Sequence, residues 1–130
     1  MHLLFQRRST NEKRLIMAVG EGAPFSYVEA YKSLRTNLKF ASEIHGAKSF
    51  VVTSSIPEEC KSNTAINLAV TLGQEDKKVL LMDCDLRKPA IHKYLKIIKG
   101  RNGLTNILSE DIKIENCIVR SKNLKIDVLI

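Results

Sequence analysis

The chain predicts an α/β fold on a mainly parallel sheet, and three stretches carry that expectation. "KSFVVTS" (48–54) is a short, β-branched, nearly continuous apolar run, the pattern of a strand covered on both faces. "SNTAINLAVTLGQ" follows, apolar almost all round, and so reads as a buried helix. "VLLMD" (79–83) and "LKIDVLI" (124–130) are two further strands, which makes a βαβ series.

The remaining elements follow in order. Residues 1–24 form an N-terminal arm, with a short strand at "RLIMAV". "SYVEAYKSLRTNLKFA" places Tyr27, Tyr31, Leu34, Leu38 and Ala41 at helical spacing, with Glu29, Lys32, Thr36 and Lys39 opposite. Ser26 and Glu29 suit a capping box at its start. The tyrosines Tyr27 and Tyr31 read as packing residues. "EDKK" ends the buried helix. "CDLRKPAIHKYL" is a loop running into a short helix, and "GLTNILSE" is another. A chain closing on a bare apolar strand leaves unpaired backbone at a sheet edge. Residues 25–130 are therefore expected to be the front part of a longer domain, C-terminally truncated.

The chain has 130 residues, enough for one domain with a core. No apolar run approaches the length of a membrane span, and the start lacks a cleavage-like site. Cytoplasmic residence is the default. Cys60, Cys84 and Cys117 form no C-x-x-C pair, which argues against a disulfide framework or a zinc site. Net charge is +7, with basic clusters at Arg7, Arg8, Lys13 and Arg14 and at Lys93, Lys96, Lys99 and Arg101. Without a nucleic-acid-binding motif these read as solvated faces, and no nucleic-acid partner is expected.

The chemistry concentrates at "SSIPEECKSNT" (54–64) and "MDCDLR" (82–87). A strand, a loop ending Lys61-Ser62 at the mouth of a helix, and a second strand ending in Asp83 and Asp85 line up. The helix start offers free amides and positive dipole character to phosphate. The lysine reaches terminal phosphates, and the serine hydroxyl can ligate magnesium. A carboxylate at the tip of the adjacent strand faces the same metal, at the carboxyl edge where open parallel sheets bind ligands. Yet the regular pattern is G-x-x-x-x-G-K-[ST], and Ser55 and Cys60 stand at its two glycine positions. On the loop alone, an ordinary strand-to-helix turn remains the competing reading.

Taken together, "VEAYKSLRTNLKF", "VVTSSIPEECKSNTAINLAVTL", "KVLLMDCDLRKPAIHKYL" and "GLTNILS" resemble the bacterial tyrosine kinases of capsule and exopolysaccharide systems, the CpsD/CapB family. The resemblance covers roughly residues 26–130. It implies a P-loop NTPase-like three-layer sandwich, use of ATP and Mg2+, and autophosphorylation on tyrosine that controls polysaccharide synthesis and export. It also implies a cytoplasmic chain recruited to the membrane's inner face by an activator of the polysaccharide co-polymerase type. By the same resemblance Ser55, Ile56, Pro57, Glu58, Glu59, Cys60, Lys61, Ser62 and Asn63 bind ATP. Ser62, Asp83 and Asp85 serve the metal, with Asp83, Asp85 and Lys61 catalytic and Asp83 a candidate base for the tyrosine hydroxyl. Glu29, Lys32 and Arg35 match a Glu-x-x-Arg-x-x-Arg motif for self-association, with lysine in the middle position, which loses the planar bidentate fork.

The loop departs from the family's P-G-E-G-K-[ST]. Cysteine before the lysine costs on the order of 1–2 kcal/mol where positive φ is needed. Together with the charge of Glu58 this weakens ATP binding by roughly one to two decades. The family's Walker B aspartate and C-terminal tyrosine cluster are not among these residues; the tyrosines here are Tyr27, Tyr31 and Tyr94. Feeble or no kinase activity is expected of the isolated chain. Two alternatives stand beside this reading: an inactive homologue acting as a binding or oligomerisation subunit, and a ParA/MinD-like ATPase. The second needs an early loop lysine where Ile56 sits.

Overall fold

The computed structural model describes residues 22–56, 58–97 and 102–130. The expected strand at "RLIMAV", the first basic cluster, Pro57, Lys99 and Arg101 lie outside the described residues. Helix α1 (Phe25–His45) is followed by α2 (Lys61–Gly73), strand β1 (Leu80–Met82), short helices α3 (Ile91–Tyr94) and α4 (Leu104–Ser109), a single 3-10 turn (Ile114–Asn116), and strands β2 (Val119–Ser121) and β3 (Ile126–Leu129). The sheet order is β1-β3-β2. Strand β3 lies parallel to β1, with Leu81 opposite Val128, and antiparallel to β2, with Arg120 opposite Asp127.

The core forms where α2 lies on this sheet. Ile66, Ala69 and Val70 of α2 pack with Leu81, Ile126 and Val128 of the strands and with Ile91 of α3. These are the apolar residues whose spacing announced a buried helix, and full burial of each large aliphatic contributes about 1.5–3 kcal/mol. Gly73, the last residue of α2, sits where a Cβ would lie 2.7 Å from the Lys125 carbonyl oxygen and 3.1 Å from Ile126 Cγ2. The helix thus meets the hairpin between β2 and β3 backbone to backbone at Lys125, with the Ile126 side chain beside it. Leu104 N–H of α4 donates to the Ile130 carbonyl at 2.6 Å, so the last helix is tied to the end of β3.

Several expectations change. The run 48–54 enters no ladder, and it is not covered: Val51 is 88% exposed and Phe50 is exposed as well. β-branched residues fit a pleated surface, but a strand needs a neighbour, and among the described residues none lies alongside this run. Strand β1 buries only Leu81, while Leu80 and Met82 are exposed on either side of it. The sheet is smaller and more mixed than expected, because β2, too short to signal itself, adds an antiparallel edge. Helix α1 starts one residue before the expected cap: Pro24 is its N-cap, its carbonyl accepting from Tyr27 and Val28, and Ser26 lies inside the first turn. Glu29 therefore has no capping role and pairs with Lys32 at 2.9 Å. Tyr31 packs against the core as expected, but Tyr27 is exposed.

Across the β2–β3 pair, Arg120 grips both carboxylate oxygens of Asp127 with one guanidinium edge, Nε to Oδ1 at 3.0 Å and Nη2 to Oδ2 at 3.3 Å. Hydrogen bonding to Arg120 holds the Asp127 carboxyl below its ordinary value, and the carboxylate in turn raises the Arg120 guanidinium. A depressed carboxylate adds stability above its unfolded pKa and loses it as pH falls through the folded value. Acid titration of stability should show this loss below the ordinary aspartate pKa, and Asp127→Asn should flatten that part of the profile. Gly73→Ala should destabilise the chain by about 1–3 kcal/mol in urea unfolding, because the contact is with backbone that cannot step aside.

Candidate functional site

The loop that launches α2 adopts an unusual backbone. Glu58 has φ 68° and Cys60 φ 60°, both left-handed, whereas Glu59 between them does not. Left-handed geometry costs a side-chain-bearing residue roughly 1–2 kcal/mol, and glycine is the residue that occupies it freely. These are two of the positions where the phosphate-loop pattern of the resembled family has glycine. Alternation of this kind gathers main-chain N–H groups into an anion-binding concavity. The loop also braces itself: Ser54 Oγ donates to the Ile56 carbonyl at 2.9 Å, and Ile56 N–H donates to Glu59 Oε2 at 3.4 Å. The Glu59 carboxylate is thereby turned back into the loop.

Cys60 is the N-cap of α2 and supplies no side-chain cap, so the first-turn amides keep no capping partner from it. Lys61 and Ser62 open the 13-residue helix, both half-buried, and Lys61 makes no ion pair among the described residues. Cys60, Ser55, Ile56, Glu58 and Glu59 are exposed. Asn63 begins a polar seam at four-residue spacing along an otherwise apolar helix. Asn67 Nδ2 donates to the Asn63 carbonyl at 2.9 Å, and Thr71 Oγ1 to the Asn67 carbonyl at 2.7 Å. Asn67 and Thr71 are fully buried. The recurrence of Asn63, Asn67, Thr71 and Glu75 was the sequence signal for this seam, and it was missed because apolar neighbours dominate the helix.

The seam ends on α1. Arg35 donates to the Thr71 carbonyl at 3.1 Å and pairs with Glu75 at 3.2 Å, leaving its side chain 16% exposed. Of the three residues in the Glu-x-x-Lys-x-x-Arg pattern, Arg35 is turned inward to clamp α1 on α2, and only Glu29 and Lys32 stay on the exposed face.

The second half of the site follows β1. Helix α2 runs back over the sheet and joins β1 through residues 74–79, so its start lies towards the carboxyl end of β1. Gly73 at the far end of α2 lies against Lys125 and Ile126 at the start of β3, which runs parallel to β1, so the helix start and the turn after β1 lie towards the same sheet edge. Asp83 continues the parallel ladder, its N–H donating to the Leu129 carbonyl at 2.9 Å. Its carboxylate accepts from Asp85 N–H at 3.2 Å, Ala90 N–H at 2.9 Å and Ile91 N–H at 3.0 Å. Asp85 is exposed, and its Oδ1 accepts from Lys88 N–H at 3.0 Å. No group of three or more His, Cys, Asp or Glu able to hold a metal occurs among the described residues.

A family model for an AAA domain matches residues 59–130, more than half of the chain and including Lys61, Ser62, Asp83 and Asp85. The chain belongs to the AAA domain family. It is similar to tyrosine-protein kinase YwqD of Bacillus subtilis (strain 168), at 39% identity over 97% of this chain and 52% of YwqD. It is 30% identical to putative tyrosine-protein kinase CapB of Staphylococcus aureus, over 78% of this chain and 44% of that protein. The kinase domain of Escherichia coli tyrosine kinase ETK superposes with a TM-score of 0.78 at 31% identity, covering 95% of this chain and 48% of that domain. The AAA-domain chain therefore has bacterial tyrosine kinases as its relatives, has their P-loop α/β fold, and spans about half the length of YwqD.

Replacing the two left-handed residues tests the loop directly. Glu58→Gly and Cys60→Gly should each raise stability by up to about 1 kcal/mol in thermal or urea unfolding, the relief of left-handed strain less the added freedom of glycine in the unfolded chain. A loss of stability on either change would mean that the loop does not hold this backbone.

Proposed function

We propose that this chain is the nucleotide-binding part of an ATP-dependent protein-tyrosine kinase that phosphorylates itself and serves capsular or exopolysaccharide synthesis and export. The observation that carries the reading is the paired left-handed backbone at Glu58 and Cys60 leading into Lys61-Ser62 at the head of a long buried helix. Single left-handed residues also occur in the turns at Asp76, Lys96 and Lys125; what sets this loop apart is that two of them stand two positions apart directly before Lys61-Ser62.

In this reading the amides of residues 58–63 and the start of α2 receive the phosphates, and Lys61 reaches the terminal ones. Ser62 and the free edge of Asp85 hold Mg2+ by their oxygens. When bound, the ion neutralises charge on the transferred phosphoryl group. Glu58, exposed beside the loop, opposes phosphate and lowers affinity. The similarity to YwqD and CapB supports the choice of tyrosine kinase over other nucleotide enzymes of this fold. We further propose self-association through the exposed Glu29–Lys32 face of α1, and activation by a membrane protein of the polysaccharide co-polymerase type at the inner face of the membrane. No helix among the described residues is long and apolar enough to cross a membrane.

Calorimetric titration with ADP in the presence and absence of Mg2+ tests the reading. Lys61→Ala should weaken binding at least about tenfold, a loss of ~1.4 kcal/mol or more, and Ser62→Ala should remove most of the Mg2+ enhancement. Affinity untouched by Lys61→Ala would contradict the site. Subunit binding retained without any nucleotide affinity would identify a non-enzymatic binding subunit instead.

A further inference from the structure

We propose that the amino end of the sheet carries a second anion site, a basic cavity between residues 77–79 and the β2–β3 hairpin that takes a compact polyanion of two or more linked phosphates. This site stands apart from the nucleotide reading above and uses none of its residues.

The cavity has a volume of about 310 Å3. Five cations line it: Lys77 and Lys78 from the segment entering β1, Arg120 from β2, and Lys122 and Lys125 from the turn that joins β2 to β3. One carboxylate, Asp127, lies among them. Little of this charge is neutralised. Asp127 is taken by Arg120. Its carboxyl is held low first by that hydrogen bonding and also by the charge of Lys78, which faces it. Lys125 reaches Asp76 only at 3.8 Å, and an ion pair between two well-exposed side chains is worth little in water. Lys77, Lys78 and Lys122 make no ion pair among the described residues. Five cations less one carboxylate leave four positive charges around one concavity.

That charge selects the ligand. A single phosphate group carries about −1.5 to −2 near neutral pH and answers roughly half of it. Two or three linked phosphates answer all of it. Lysine ammonium groups bind phosphate as point charges, each with three donors, and need no fixed plane. A volume at the lower end of the roughly 300–1,000 Å3 of ligand pockets fits a compact ligand. Lysines along an edge strand also guard against strand pairing. Here Lys77 and Lys78 precede β1, and Lys122 and Lys125 lie in the turn, so none of the four stands on a strand edge. The position is also separate from the loop before Lys61. Strands β1 and β3 run parallel, and Lys78 and Lys125 both precede their strands, so the cavity lies at the amino end of the sheet. Gly73 at the last turn of α2 lies against the Lys125 carbonyl. The 13 residues of α2, about 20 Å in length, therefore stand between the cavity and Lys61. The site was invisible in the sequence because its cations come from segments far apart in the chain.

The test is a titration with sodium tripolyphosphate, followed by the backbone amide resonances of three proteins: the unaltered chain, Lys61→Ala, and the double variant Lys78→Ala/Lys122→Ala. Saturable shifts are expected at residues 77–79 and 120–127, and Lys61→Ala should keep them. The double variant should bind there at least about tenfold more weakly, while its amides elsewhere keep their positions and show the fold intact. Shifts confined to residues 58–64 and lost in Lys61→Ala would overturn the proposal, because the polyanion would then use only the loop before α2. Equal affinity of the double variant and the unaltered chain at residues 77–79 and 120–127 would overturn it as well, leaving a solvated basic face. Vesicles of phosphatidylglycerol, compared with vesicles of phosphatidylcholine, give a further arm. Capture by the former that the double variant loses, without tripolyphosphate shifts at residues 77–79, would replace the compact ligand with a lipid surface and overturn the proposal.

Discussion

Everything else in this chain depends on α2 being buried along its length. Its apolar residues Ile66, Ala69 and Val70 join Leu81, Ile126, Val128 and Ile91 in one cluster. The same helix begins with Lys61 and Ser62 and ends against the β2–β3 hairpin at Gly73. Packing one helix therefore sets three things at once: where the loop before Lys61 opens, where the tip of β1 lies, and where α1 can dock. Because the helix is held by its core face, the loop before it can carry left-handed strain that a free loop would relax.

Polar chemistry is threaded through the same helix without weakening it. Asn67 and Thr71 are fully buried, but each donates to a carbonyl one turn earlier. Arg35 completes the seam from α1 by taking the Thr71 carbonyl and the Glu75 carboxylate. A buried polar group is tolerated when its bonds are made. The site and the core are thus two faces of one element.

Much of this was legible in the sequence, for reasons that can be named. The near-continuous apolar character of residues 62–74 identified α2 and its burial, and the apolar run at 124–130 identified β3. The Lys61-Ser62 pair and the Asp83–Asp85 pair stood out because their residue types and spacing answer a chemical requirement, and their use as a site is the proposal made above. What failed depended on partners outside the local window. The run 48–54 has strand composition but no neighbour, so Val51 stands in solvent. Strand β2 is three residues long and exists only because β3 pairs with it. The inward turn of Arg35 was hidden because its acceptor lies 36 positions away. The backbone at Glu58 and Cys60 was the least accessible, since neither residue type announces left-handed geometry.

The loop's conformation and its use are two statements, and amide chemical shifts join them. The most direct measurement is a nuclear magnetic resonance titration of the chain with Mg-ADP, following every backbone amide. Shifts concentrated at residues 58–64, with a second group around Asp85, are the expected result. Saturating Mg-ADP that leaves those amides unmoved, or that moves a different surface, would contradict a phosphate site built on Glu58, Cys60 and the start of α2.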